Sequence, residues 1–187
     1  MSHSSEKASM IARPTARYIK SKGDGWELVA KAKLPAHAKC IYNLILDTLS
    51  WPDWNPLMPK CHVLNGSPIL KPHSKASMDI YDRGRGFVHG AKKDRSMKFE
   101  VKRLKTKQLD DGRMQYRIVW QTESYHTVTT RRVITVVERS PGGIGCDYSS
   151  HERFWGFFAM TAKNMHGQDV LEGARKMAEG LQKYQGH

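Results

Sequence analysis

Two tryptophans and two prolines lie within six residues, in the segment 51–56, Trp-Pro-Asp-Trp-Asn-Pro. Tryptophan is costly to leave in water and proline fixes the backbone beside it, so this segment is built to hold one shape against a core. It follows an apolar helical pattern and precedes a run of strand patterns and one long helical pattern. That order of elements narrows the fold sharply and the function only in part.

Alternation of apolar and polar residues predicts seven strands, and apolar residues at helical spacing predict three helices. Turn sequences such as Asp110-Asp111-Gly112 predict hairpins between the strands. Ser50 is a candidate N-cap for the second helix, and Pro52 suits its first turn. The predicted elements are a strand at 27–33, helices at 35–49 and 50–55, strands at 61–64, 75–81, 97–104, 114–123, 128–139 and 146–159, and a helix at 161–184.

The composition is that of one globular domain. The chain has 187 residues, 39% of them hydrophobic, and a mean hydropathy of -0.62, which suits a single full core. No stretch approaches the ~18 apolar residues of a membrane span. The three cysteines are odd in number and widely spaced, which indicates a reducing compartment and ordinary thiols. Neither metal-ligand spacing nor a dinucleotide fingerprint is present (Gly84-x-Gly86 lacks the spacing), so we predict no metal and no cofactor.

Residues 1–25 are polar and basic, and we interpret them as a flexible tail before a single domain at 26–184. A mitochondrial transit peptide is the alternative, although Pro14 argues against it. The first residues contain no apolar run, so we expect no secretory signal. We therefore expect a cytoplasmic protein, or a mitochondrial one if the tail is a transit peptide. The sequence leaves the oligomeric state open.

Much of the net charge of +13 lies in one segment. Residues 83–117 contain twelve Lys or Arg and four Asp or Glu, so this segment contributes +8. A basic strand pair can dock on an anionic membrane surface or on nucleic acid. Interrupting acidic residues and the lack of interleaved stacking aromatics disfavour nucleic acid. A solvated outer face of the sheet is the remaining interpretation.

The last predicted helix is rich in small residues. Gly167, Gly173 and Gly180 each cost about 1 kcal/mol relative to alanine inside a helix. Either the helix packs closely on the sheet, or the small residues leave room for a ligand between them. The residues that recur at helical spacing along one side of this helix are Met160, Asn164, Gly167, Leu171, Ala174, Ala178 and Leu181.

The order of elements, with Leu46-Asp47 leading into the segment 51–56, resembles the START-like superfamily (SRPBCC, the birch-pollen-allergen fold). The resemblance covers roughly residues 26–184 and implies an α+β helix-grip fold. In this fold a curved seven-stranded antiparallel sheet wraps around a long C-terminal helix, with an apolar cavity between them. The last strand is similar to the closing strand of that superfamily in the run Tyr148-x-Ser150-x-Glu152-x-Phe154-x-Gly156.

The resemblance also implies a range of functions. Members bind sterols, phospholipids, polyketides or plant hormones, and a few are aromatase/cyclases, dehydratases or ligand-transfer chaperones, including a coenzyme Q-binding branch. No catalytic motif is shared across the superfamily. The polyketide cyclase/dehydratase branch is the one considered for an enzymatic role.

Counting outward from each predicted turn pairs the residues of neighbouring strands, and it brings polar side chains onto the sheet face that we expect to contact the last helix. It sets Glu152 opposite Val133 and Arg131 opposite Trp120, and a slip of one residue would bring Arg132 there instead of Arg131. Glu152 is the candidate catalytic residue. The candidate ligand-binding residues are Tyr116, Ile118, Trp120, Arg131, Arg132, Val133, Phe154, Asn164 and Leu171, with Trp51 and Trp54 at the cavity mouth.

We expect a binding or transfer protein for a small hydrophobic ligand such as a lipid, sterol or polyketide. In that function the Glu152–arginine pair would hold a ligand hydroxyl or carboxylate, unless the pair is purely structural. The alternative is a polyketide cyclase or dehydratase in which Glu152 acts as a general acid or base. The third interpretation is a basic module that docks on an anionic membrane or on nucleic acid.

Overall fold

The computed structural model describes residues 12–19, 25–64, 66–81, 93–122 and 128–184. Gly84, Gly86, Gly90 and the predicted turn at 124–127 lie outside these residues. No helix in the described ranges is long and apolar enough to cross a membrane. The described elements are β1 (Thr15–Ile19), β2 (Trp26–Leu34), α1 (Ala38–Leu46), a 3₁₀ turn (Thr48–Ser50), α2 (Trp51–Trp54), β3 (Lys60–Val63), β4 (Lys75–Tyr81), β5 (Lys93–Gln108), β6 (Met114–Thr122), β7 (Thr129–Glu138), β8 (Cys146–Trp155) and α3 (Ala159–Lys183).

The eight described strands form one antiparallel sheet in the order β1-β2-β8-β7-β6-β5-β4-β3. The long helix α3 packs mainly on β2 and β1 and touches α2. This is the predicted α+β helix-grip architecture with one strand more than predicted. The additional strand is β1, which lies in the segment interpreted as a flexible tail, so that interpretation is wrong for residues 15–19. Tyr18 of β1 packs edge-on against Trp26, with ring centroids 5.6 Å apart, and this apolar contact holds the edge strand on the sheet.

The two tryptophans of the segment 51–56 lie inside the core, where Trp51 is 0% and Trp54 is 1% exposed. The ring of Trp51 lies parallel to that of Phe99 at 6.4 Å and tilted against that of Trp120 at 6.1 Å. Its indole N–H donates to the carbonyl of Ile45 at 3.1 Å, which satisfies the polar end of the side chain. The segment therefore anchors α1 and α2 to the inner face of the sheet.

Ser50 occupies the predicted N-cap position of α2, but its side chain does not cap the helix. The hydroxyl of Ser50 donates to the carbonyls of Leu44 and Asp47 instead of accepting from the first turn of the helix. Pro52 lies in that first turn, as predicted. The competing acceptors exist because the 3₁₀ turn brings the end of α1 next to Ser50.

Glycines allow α3 to approach its neighbours closely. A Cβ atom at Gly180 would lie 1.7 Å from the carbonyl oxygen of Trp54, and one at Gly173 would lie 2.4 Å from a methyl group of Leu57. Both distances are shorter than real Cβ contacts, and Gly167 makes a similarly close approach. The structure therefore supports close packing as the reason for these small residues.

Candidate functional site

A row of side chains crosses the inner face of the sheet, against which α3 packs. Arg132 of β7 is the Cα partner of both Trp120 in β6 and Glu152 in β8, and Glu152 is also the partner of Leu28 in β2. Arg132 is 8% and Glu152 is 4% exposed. Burying a charge is costly unless it is paired, so two charged residues in the middle of an apolar sheet face mark a candidate site.

The register of this row is shifted by one residue from the arrangement that sets Glu152 opposite Val133. The two residue numbers of each β7–β8 pair average to 142, so Gly142, with a φ of 65°, lies at the centre of the hairpin. The predicted pairing instead placed the centre on the peptide bond after Gly142. Because side chains alternate along a strand, this shift exchanges the faces. Arg132 faces inward, whereas Arg131 is exposed on the outer face and Val133 is half-buried there. Arg131 and Val133 are therefore wrong as residues of the inner face.

Arg132 and Glu152 form a buried ion pair. The Nε and Nη2 atoms of Arg132 both donate to Oε2 of Glu152, at 3.1 Å and 2.5 Å. The Nη1 atom lies 3.4 Å from the sulfur of Met177 in α3, and the guanidinium carbon lies 5.7 Å from the ring centroid of Trp120. Burial opposes the charge of Arg132, but the neighbouring carboxylate outweighs it and holds the pKa of the guanidinium above its ordinary value.

A buried tyrosine hydroxyl lies on the same face. Tyr148 precedes Glu152 by two inner-face positions of β8 and is 2% exposed. Its hydroxyl interacts with the side chain of Ser150, but it makes no hydrogen bond of full geometry among the residues that the structure describes. Burial raises the pKa of this phenol, which therefore stays protonated and can donate. An unsatisfied buried hydroxyl is uncommon and calls for a physical explanation.

Two threonines add hydroxyls on the side of the Arg132–Glu152 pair that is opposite Tyr148. The hydroxyl of Thr122 in β6 donates to that of Thr130 in β7 at 3.1 Å and accepts from the Thr130 N–H at 3.0 Å. Both residues are buried, and Phe154 is the Cα partner of Thr130. The polar residues thus form a patch that runs obliquely across the inner face.

This polar patch separates two apolar clusters of the interior. One cluster includes Trp120 and Met177, both of which contact Arg132. The other includes Leu28, opposite Glu152, and Phe154, which stacks on Trp26 at 3.7 Å. The site is therefore amphipathic, with apolar walls on either side of a charged pair.

The other predicted site residues fall into two groups. Tyr116, Ile118, Trp120 and Phe154 are buried on the inner face, in agreement with the predicted face. On α3, Asn164 is exposed and Leu171 is partly exposed. The buried residues of that helix are Ala159, Gly167, Gly173, Ala174, Met177, Ala178 and Leu181.

The predicted positions of Trp51, Trp54 and Asn164 need correction. Trp51 and Trp54 lie in the core rather than at an opening, because Trp51 packs on Phe99 and Trp120 and Trp54 packs edge-on against Trp51. Asn164 does not line the interior, because the first half of α3 is turned so that Asn164 faces solvent.

Sequence reasoning missed three contributors to the site. Tyr148 could have been found, since it shares the period-2 face of Glu152 on a strand that was predicted. The Thr122–Thr130 pair depends on the register across the 123–127 connection, and the contact of Met177 depends on the rotation of α3, for which the sequence holds no signal. Among the described residues, no group of three or more His, Cys, Asp and Glu is arranged to hold a metal ion.

No protein-family model matches the chain. No curated protein matches it either. Solved structures do share its fold. A STAR-related lipid transfer protein from Xanthomonas axonopodis superposes with a TM-score of 0.58 at 13% identity, over 90% of this chain and 91% of that one. The human StarD13 lipid transfer and protein localization domain gives a TM-score of 0.57 at 11% identity, over 92% of this chain and 86% of that one.

An enzyme structure is also similar. The Zhui aromatase/cyclase from a Streptomyces species superposes with a TM-score of 0.55 at 10% identity, over 89% of this chain and 91% of that one. Identities this low establish the fold and leave the ligand and the activity to the residues of the site. The chain has the START-like helix-grip fold that its order of elements predicted.

Proposed function

We propose that this protein binds a small hydrophobic ligand between the sheet and α3, with a polar group of the ligand held by the Arg132–Glu152 pair. The observation that carries the proposal is a buried ion pair on the sheet face that packs against α3, with an apolar cluster on either side and the weakly bonded hydroxyl of Tyr148 on the same face. Apolar walls supply most of the binding free energy, and a few polar groups fix the orientation of such a ligand.

The contacts of the pair leave groups that a ligand oxygen can use. Both hydrogen bonds to Glu152 come from Nε and Nη2, so among the described residues the partner of Nη1 of Arg132 is the weak acceptor sulfur of Met177. A ligand carbonyl or hydroxyl in place of that sulfur would accept a stronger, charge-assisted hydrogen bond. Methionine is flexible, so Met177 is the side chain that we expect to move when the ligand enters.

The first experiment is native mass spectrometry of the freshly purified full chain, followed by denaturing extraction. A small molecule at near one-to-one stoichiometry is the expected result, and its structure would define the ligand class. If the purified protein carries no ligand, it is titrated with fatty acids, sterols and phospholipids, and tryptophan fluorescence reports the binding. Absence of a bound molecule together with no saturable binding in that panel would refute the proposal.

The exchange Tyr148→Phe tests the polar contact. Removing this weakly bonded hydroxyl should change the free energy of unfolding by less than about 1 kcal/mol, whereas the loss of a hydrogen bond to the ligand should weaken binding by about tenfold. Tyr116→Phe is the matched control, because Tyr116 lies on the same face of the sheet but away from the ion pair. Equal ligand affinity of both variants would remove Tyr148 from the site.

An acid–base enzyme of the cyclase/dehydratase kind is the second candidate. The observation in its favour is that Tyr148, a neutral acid, interacts electrostatically with Glu152 on the same face. Against it, Oε2 of Glu152 already accepts two hydrogen bonds from Arg132, so the carboxylate is held as an ion-pair partner. Turnover of the extracted ligand that is lost in Glu152→Gln would favour the enzyme over the binding protein.

A further inference from the structure

Aromatic side chains are exposed where β8 leads into α3. Phe157 is 87% and Phe158 is 47% exposed, and their rings lie perpendicular with centroids 4.9 Å apart. Met160, in the first turn of α3, is 51% exposed. Exposed apolar residues scattered singly are ordinary, but three large ones within four positions form a patch that water solvates poorly.

Two arginines lie beside this patch. Arg131 and Arg153 are Cα partners on the outer face of β7 and β8, and both line an open cavity of about 1000 Å³ together with Trp155, Phe157 and Met160. Arg153 has a partner, because Oε1 of Glu27 lies 3.7 Å from its Nε, whereas Arg131 is exposed beside it. We call Arg131, Arg153, Trp155, Phe157, Phe158 and Met160 the junction surface.

The beginning of α3 adds to the positive potential of this surface. The N-cap residue is Phe158, whose side chain cannot accept a hydrogen bond, and the first turn contains no acidic residue. The helix dipole therefore directs its positive end toward the cavity, which Ala159 and Met160 also line. Guanidinium groups bind phosphate oxygens through paired donors, so Arg131, Arg153 and the beginning of α3 favour an anion, with the carboxylate of Glu27 as the opposing charge.

The geometry points to a bilayer of anionic phospholipid as the partner of the junction surface. Lipid phosphates and carboxylates would meet Arg131 and Arg153, while Phe157, Phe158 and Met160 enter the boundary between headgroups and acyl chains. A free phosphate compound would use the arginines but leave the three apolar side chains in water. Arg131 and Arg153 lie on the opposite face of β7 and β8 from the Arg132–Glu152 pair, so vesicle binding and ligand binding can fail separately.

Sedimentation of the full chain with vesicles tests the inference. We expect binding to phosphatidylcholine vesicles that contain about 30% phosphatidylserine, little binding to pure phosphatidylcholine, and weakening as salt rises from about 50 mM to about 500 mM. Phe157→Ser should weaken the partition constant by about tenfold. Ile144→Ser, at a residue of the β7–β8 hairpin that is 74% exposed, is the matched control and should have no effect.

A second pair of variants tests the charge. Arg131→Gln should weaken binding about fivefold, because one cationic side chain at an anionic surface contributes about that much. Lys105→Gln removes the same charge from the exposed basic strand β5 and should change binding by less than about twofold. Equal effects of these two variants, or an unchanged Phe157→Ser variant, would overturn the inference. Self-association that Phe157→Ser abolishes, without vesicle binding, would instead assign the surface to a second copy of the chain.

Discussion

Removing one member of the Arg132–Glu152 pair should destabilise the fold far more than removing both. In Glu152→Gln, a guanidinium that is 8% exposed loses its counter-charge. Breaking a buried ion pair on one side costs about 3–5 kcal/mol. We expect the lower end, about 3 kcal/mol, because Arg132 keeps its contacts with Trp120 and Met177 and the new amide can accept one hydrogen bond. For a chain of this size that free energy lowers the unfolding midpoint by about 6–12 °C.

The double variant Arg132→Met/Glu152→Leu should recover most of this loss. Both new side chains are apolar like the clusters on either side, and well-packed apolar replacements of a buried pair are often neutral or stabilising by about 1–4 kcal/mol. Arg132→Met alone should cost about as much as Glu152→Gln, since it leaves a buried carboxylate without its partner. The double-mutant cycle therefore predicts strong non-additivity.

Urea unfolding followed by tryptophan fluorescence measures the three free energies. Glu172→Gln is the matched control, because its partner Arg175 lies on the exposed side of α3 and such pairs contribute at most about 1 kcal/mol. Additive effects in the cycle, or a Glu152→Gln variant no less stable than Glu172→Gln, would refute the description of the pair as buried and coupled. A double variant that folds but no longer binds ligand would support the ligand-orienting role over a purely structural one.

Two further predictions concern packing and thiol chemistry. Gly180→Ala should destabilise by about 1–2 kcal/mol despite the better helix propensity of alanine, since its Cβ would meet the Trp54 carbonyl; an unchanged unfolding midpoint would place α2 and α3 farther apart. Burial raises the pKa of Cys61 and of Cys146 to about 12, so at pH 8 their thiolate fraction is only about 10⁻⁴. Iodoacetamide should then label the exposed Cys40 alone in the native protein and all three thiols after unfolding, and native labelling of Cys146 would contradict the burial.

Element types were predictable because they depend on local patterns. The alternation in β6, β7 and β8 and the helical spacing of α3 each repeat over at least nine residues, and tertiary packing reinforces them. The segment 51–56 was also informative, since two tryptophans that alternate with two prolines favour a fixed position in a core. Strand β1 was missed because it is a five-residue edge strand whose alternation is short and whose partner lies beyond the 20–24 connection.

Register was harder to predict because it depends on turns and bulges. The β7–β8 hairpin contains positive φ values at Gly142 and Gly145, and the sequence alone does not say which residue lies at its centre. In β5 a bulge between Val101 and Arg103 interrupts the alternation, so the strand extends to Gln108 although the pattern predicted an end at 104. The rotation of α3, which brings Met177 to the ion pair, follows from glycine contacts that only the assembled structure defines.

The adjacent arginines of β7 connect the two proposals. Arg132 faces the interior and holds Glu152, while Arg131 faces outward beside Arg153. Because side chains alternate, a shift of one residue in the β7–β8 register would exchange the two arginines and dismantle both the polar patch and the junction surface. The described register thus predicts separate phenotypes, in which Arg131→Gln reduces vesicle binding alone and Arg132→Met reduces ligand binding and stability. Loss of both activities in each variant would mean that the two arginines do not lie on opposite faces of the sheet.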